Sequence, residues 1–163
     1  MKNCCVLLLL MALMPLSACA VEKSPEEGWP LAVRLMSYGD YQDAAWTHLP
    51  EIGIRYLFMA VPSPDEAEAV MKRLEEHGLE AVVVRGDTDL SKESAVDELA
   101  AQLATCEKMG IRYMFLSAKR NDAPRDVVLD RLRKAGDIAQ KHGVTITLET
   151  HPDLGTNAEV HLA

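Results

Sequence analysis

A glycine closes four successive helical stretches of this chain, and an apolar run follows each one at once. The segments are EIGIRYLFMA at 51–60, EHGLEAVVVR at 76–85, KMGIRYMFLS at 108–117 and KHGVTITLE at 141–149. Glycine ends a helix in left-handed backbone without the penalty a Cβ brings. A short run rich in branched and aromatic residues then reads as a strand. Two copies are nearly the same sequence, Gly53-Ile54-Arg55-Tyr56 and Gly110-Ile111-Arg112-Tyr113, offset by 57 residues. That offset is two helix-plus-strand units of ordinary length, so the chain is a βα repeat.

Helix starts fall into the same frame. Ser63-Pro64-Asp65-Glu66 combines a capping serine, a first-turn proline and a glutamate spaced for a capping box. Ala67, Val70, Met71 and Leu74 follow at helical spacing. Ser91 is predicted to open the next helix, through about Lys108, and Asp122-Ala123-Pro124 another, through about His142. With LAVRLMSY at 31–38 as a first strand, the series has five strands and four intervening helices. Alternation of this kind implies a parallel sheet with right-handed crossovers.

A doubly wound open sheet and a (β/α)8 barrel can both hold such a series. An open sheet covered on both faces makes its central strands apolar on both sides. Here Thr145 and Thr147, Arg34 and Arg85 put polar groups at one parity. In a barrel that parity faces the lumen, below the catalytic mouth. Ser37-Tyr38-Gly39-Asp40 after the first strand does not match a GxGxxG phosphate loop. The expected fold is therefore an α/β (β/α)8 TIM barrel, cut off after about five βα units.

The last strand holds the strongest candidate for chemistry. Thr145, Thr147 and Glu149 lie on one side of it, and Val144, Ile146 and Leu148 on the other. His151 continues the polar parity. A buried carboxylate without a partner costs several kcal/mol, so a glutamate there meets a cation, a metal or a substrate. A structural ion pair is the competing reading.

The other end of the chain has a different character. Lys2 precedes a compact apolar run from Val6 to Leu13, and Leu16-Ser17-Ala18-Cys19 then sets small residues before a cysteine. This reads as a secretory signal over residues 1–18, too short for a spanning helix. The tetrapeptide resembles a bacterial lipobox, which makes Cys19 the lipidated first residue of a mature protein anchored to a membrane and facing the periplasm or cell exterior. Ordinary cleavage nearby is the alternative. Residues 19–30 read as the lipidated cysteine and a polar tether, broken by Pro25, Gly28 and Pro30, and residues 31–163 as the partial barrel. Cys4 and Cys5 leave with the signal. Cys106 extends the apolar stripe of Val96, Leu99 and Leu103 and is expected in the core, without a disulfide. The formal net charge of −8 argues against a nucleic-acid partner, because an acidic surface repels phosphate backbones.

On these residues, above all GVTITLE at 143–149 and THPDLGTN at 150–157, the segment from Leu31 to Ala163 resembles the N-terminal part of the xylose isomerase-like TIM barrels. This is the sugar phosphate isomerase/epimerase superfamily, which includes relatives of endonuclease IV. In that family the fifth strand ends in a glutamate that binds a divalent metal, and Glu149 matches the position. The resemblance implies Glu149 as metal ligand and catalytic residue, a divalent ion (Mn, Mg, Co or Zn) in the complete barrel, and a sugar or polyol substrate. The remaining ligands, an acid, a histidine and another acid, are implied on strands six to eight, past the end of this chain. His151 is expected to hydrogen-bond the substrate or support the metal shell, unless it only shapes a turn. Arg85 is expected either to contact an anionic substrate group or to pair with Asp87 or Asp89. Lys119 and Arg120 are expected in a solvated loop. The DNA-repair branch would call for histidines near the ends of strands three and four, where Arg85-Gly86-Asp87 and Leu116-Ser117-Ala118 stand.

Three functional expectations follow from the residues and the resemblance together. The first is an exported metal-dependent isomerase or epimerase, present as an N-terminal fragment inactive alone. The second is a non-catalytic carbohydrate-binding lipoprotein on a barrel scaffold. The third is a truncated gene product with no activity, expected to self-associate through open sheet edges, since five strands do not close a barrel.

Overall fold

The computed structural model describes residues 30–87, 89–150, 154 and 158–162. The predicted signal, Cys19, the tether up to residue 29 and His151 lie outside the described residues. The elements run β1 (Ala32–Arg34), α1 (Gln42–Glu51), β2 (Tyr56–Ala60), α2 (Ala67–Glu76), β3 (Glu80–Arg85), α3 (Ala95–Lys108), β4 (Tyr113–Leu116), α4 (Arg125–Lys141), β5 (Thr145–Leu148) and a last turn, α5 (Ala158–His161). The five predicted strands and four intervening helices are all present. Gly53, Gly78, Gly110 and Gly143, which end α1 to α4, all take positive φ, as the repeat requires.

All five strands pair in parallel, in the order β1-β2-β3-β4-β5. A doubly wound sheet reverses direction at a switch point in its strand order. This sheet has no reversal among the described residues, so each unit simply adds to the edge left by the one before. That is the order of a barrel wall.

Alternation along the strands separates two faces. Leu57 and Met59 of β2, Val84 of β3 and Met114 and Leu116 of β4 are buried in one apolar cluster with Trp46 and Leu49 of α1, Leu74 of α2, Leu99 and Leu103 of α3 and Val128 and Ala135 of α4. The four helices therefore all cover the same face. Cys106 is fully buried there, and burial pushes its thiol up to about 11, so it is a protonated core residue as its stripe predicts.

Several boundaries differ from expectation, each for a local reason. β1 has three residues rather than eight, because the chain turns into a 3-10 stretch over Leu35–Tyr41, kinked at Gly39 (φ 55°). At the start of α2, the Ser63 N–H (3.2 Å) and hydroxyl (2.7 Å) both donate to the Glu66 carboxylate. The glutamate half of the capping box forms, while the serine oxygen meets the carboxylate and not a helix amide, so the helix begins at Ala67. Those hydrogen bonds hold the Glu66 carboxyl below its ordinary range. α3 begins at Ala95 rather than Ser91, since the Ser91 hydroxyl (2.6 Å) and N–H (3.1 Å) bind the Asp89 carboxylate. Lys119 and Arg120 are half-buried, not solvated. Lys119 bridges Asp89 in parallel, its carbonyl accepts from the Leu90 N–H, and Arg120 donates to the Ala123 carbonyl.

Candidate functional site

At the C-terminal ends of the strands, the face turned away from the helices forms a polar cavity of about 280 Å³. It is lined by Arg34, Phe58, Arg85, Phe115, Ser117 and Glu149. Barrel enzymes work at this mouth. Glu149 follows β5 directly, and its N–H donates to the Leu116 carbonyl (3.0 Å), which fixes the backbone as a continuation of the ladder. Its Oε2 accepts a 2.6 Å hydrogen bond from the Ser117 hydroxyl. Ser117 is only 3% exposed, so one oxygen of the carboxylate is held by a donor that cannot swing into solvent. Oε1 has no hydrogen bond among the described residues.

The wall between the charges is aromatic. Phe58 and Phe115 pack edge to face, with centroids 5.5 Å apart and planes at 71°. Both are half-buried, one on each side of β3, which carries Arg85 between them.

Arg85 reaches this cavity because β3 contains a bulge. Leu57 pairs with Ala81 and Phe58 with Val83, so Val82 is an extra residue in the ladder. Ala81 and Val84 are both buried against the helices, although three positions apart. In unbroken alternation Arg85 would share the side of Ala81 and face the helices. With Val82 bulged, it shares the side of Val83 and faces the lumen.

The predicted salt bridge of Arg85 with Asp87 or Asp89 is not formed. Asp87 pairs with Lys92 at 3.4 Å, while Asp89 holds Ser91 and accepts from the Asn121 side chain at 2.9 Å. The Arg34 guanidinium touches the Met36 sulfur at 3.8 Å. No salt bridge joins either arginine to Glu149 among the described residues.

The structure thus brings Glu149 and Arg85 to one cavity, together with Arg34, whose parity the sequence exposes. Ser117 as partner of Glu149 is the residue that sequence reasoning missed. Its signal is its parity with Phe115 at the end of the fourth strand. Among the described residues no three His, Cys, Asp or Glu side chains come together as a metal site. Glu149 fits as one oxygen donor of a set, oriented by Ser117, and hard divalent ions take such donors.

A profile of the xylose isomerase-like TIM barrels matches residues 46–161. The chain belongs to this family. Among curated proteins no sequence matches significantly. Several solved structures share the fold. A xylose isomerase domain protein from Planctomyces limnophilus superposes with a TM-score of 0.61 at 16% identity, over 82% of this chain and 57% of that one. A sugar phosphate isomerase/epimerase from Parabacteroides distasonis gives 0.55 at 13%, over 79% and 54%. D-Psicose 3-epimerase from Clostridium cellulolyticum H10, solved with D-tagatose, gives 0.56 at 12%, over 72% and 50%. The chain thus spans about half the length of these xylose isomerase-like structures, and its five parallel strands are the part of the barrel it holds.

Proposed function

We propose that this chain is the N-terminal part of an exported, metal-dependent isomerase or epimerase acting on a sugar or sugar derivative, inactive as five βα units alone. The observation that carries the reading is Glu149, held by Ser117 at the mouth of a barrel wall, beside a cavity with two arginines. Fold relatives named as sugar phosphate isomerase/epimerase and D-psicose 3-epimerase make a polyhydroxy carbonyl compound the substrate class to test first.

Glu149 would hold a divalent ion with donors from beyond the described residues. When bound, the ion binds neighbouring substrate oxygens and stabilises developing negative charge. Ser117 fixes the carboxylate so that one oxygen points to one place. Phe58 and Phe115 exclude water from one side of the cavity, which strengthens every charge interaction there. His151 is assigned a contact to substrate, so His151→Ala raises KM more than it weakens metal binding. Export rests on the signal-like residues 1–18, with Cys19 as the lipidated N-terminus.

The experiment uses the gene product isolated from its own cells. Calorimetry with manganese and magnesium measures metal affinity, and solvent deuterium uptake into a panel of ketoses, followed by NMR, reports proton exchange. Removing a group that merely orients a ligand costs about 10–100-fold in metal affinity, so Glu149→Gln should cost at least that and abolish exchange. Unchanged metal affinity in that variant refutes the ligand assignment. Sugar binding without exchange in the parent makes the protein a non-catalytic carbohydrate binder. Mass spectrometry of the same preparation should find an acylated N-terminal Cys19 peptide, and a mature chain starting unmodified elsewhere removes the anchor.

A further inference from the structure

We propose that Arg34 and Arg85 form a clamp for an anionic oxo group of the substrate, a carboxylate or a phosphate. The inference rests on reading the mouth as a carbohydrate site and narrows the substrate to an acidic sugar derivative.

Charge gives the first reason. Two guanidiniums and one carboxylate line the same cavity of about 280 Å³, and Ser117 already occupies one oxygen of that carboxylate. The chain has 25 acidic residues against 17 basic ones, so carboxylate partners are plentiful. Some cations find them: Arg73 meets Asp43 at 3.0 Å, Lys134 meets Asp130 at 2.7 Å, and Lys92 lies within 3.6 Å of both Asp87 and Glu98. Asp87, two residues from Arg85, bonds to Lys92. Neither arginine at the mouth has a salt bridge among the described residues, and both line the one cavity. Like charges facing one concave space repel, and a bound oxoanion reverses the sign of that interaction.

The backbone gives the second reason. The bulge at Val82 removes a residue from the ladder, and its effect is to put Arg85 on the lumen side. Bulges beside functional sites re-aim a side chain in this way. Without the bulge Arg85 would face the helices; with it the guanidinium lines the mouth.

Chemistry gives the third. A neutral sugar presents hydroxyls, for which amide or hydroxyl side chains suffice. A guanidinium presents a planar fork of donors that matches two oxygens of a carboxylate or phosphate. The Phe58–Phe115 wall provides an apolar surface beside the fork, suited to the C–H face of a sugar ring.

The test measures binding to the intact gene product in the presence of a chelator, so that metal binding and turnover play no part. D-Gluconate, inorganic phosphate and neutral sorbitol are titrated by calorimetry. An anion should bind at least about tenfold more tightly than sorbitol, the equivalent of one hydrogen bond to a charged group. The ratio of gluconate to phosphate affinity tells carboxylate from phosphate as the group selected. Arg34→Gln and Arg85→Gln should each weaken anion binding by about tenfold and leave sorbitol unaffected. Arg85→Lys restores part of the affinity, because it returns the charge without the fork. Circular dichroism checks the fold of each variant, and the exposed Arg34 decides the matter if Arg85→Gln unfolds. Equal affinity for gluconate and sorbitol, or anion binding that survives both glutamine variants, overturns the clamp. That result with metal binding and proton exchange intact leaves the proposed function standing. Anion selectivity without metal binding does the reverse.

Discussion

The Ser117 hydroxyl donates to Glu149 from a position with almost no access to water. Ser117→Ala removes the donor and leaves the half-buried Glu149 to find water instead. A hydrogen bond to a charged group is worth about 1.5–3 kcal/mol, and solvent recovers part of it, so a loss of about 1–2 kcal/mol in urea unfolding is expected. Ser117→Thr, which keeps the hydroxyl, should recover most of that loss; equal stability of the alanine variant and the parent would show that the bond contributes nothing. The role of Glu149 as the polar end of a strand was legible in Thr145, Thr147 and Glu149 alone. Ser117 was not, because a serine after Leu116 reads equally well as the start of a loop, and only the pairing of β4 with β5 brings it to Glu149. Arg85 was legible only as an alternative. Val82-Val83-Val84 offers three equivalent residues, and nothing in their order tells which one leaves the ladder.

At the scale of the element, glycine spacing made the helix ends readable, while helix starts were read less well. Ser63 and Ser91 both look like caps, yet Ser63 binds Glu66 and Ser91 binds Asp89. Acidic neighbours competed for hydroxyls that a helix amide would otherwise use. Two glycines separate conformational need from mere tolerance. Gly110 (φ 72°) ends α3, and Gly136 lies inside α4 without a positive φ; a Cβ at either would meet nothing within 4 Å. Gly110→Ala should therefore destabilise by about 1–2 kcal/mol, the strain of left-handed backbone. Gly136→Ala should stabilise by about 0.5–1 kcal/mol through helix propensity. Thermal unfolding of both variants checks the pair, and shifts of the same sign would remove the conformational argument.

For the molecule as a whole, the sheet as described ends in β1 and β5, which do not pair with each other. Tyr113 and Leu148 are exposed beside the lumen and the open edge, at 51% and 42%. Parallel edges with unpaired donors recruit other chains, so residues 20–163 alone should elute from size exclusion as oligomers, with light scattering well above the monomer mass. A monomer with one sharp unfolding transition would show an independent domain. The strand order has a consequence in time as well. Every strand pairs with the one that precedes it in sequence, so each new strand leaving the ribosome finds its partner already made. At synthesis rates of about 5–20 residues per second, one βα unit emerges every few seconds, far longer than a helix or hairpin needs to form. The wall is thus laid down in the order it is translated, and the edge that β4 offers to β5 is already in place when Glu149 arrives.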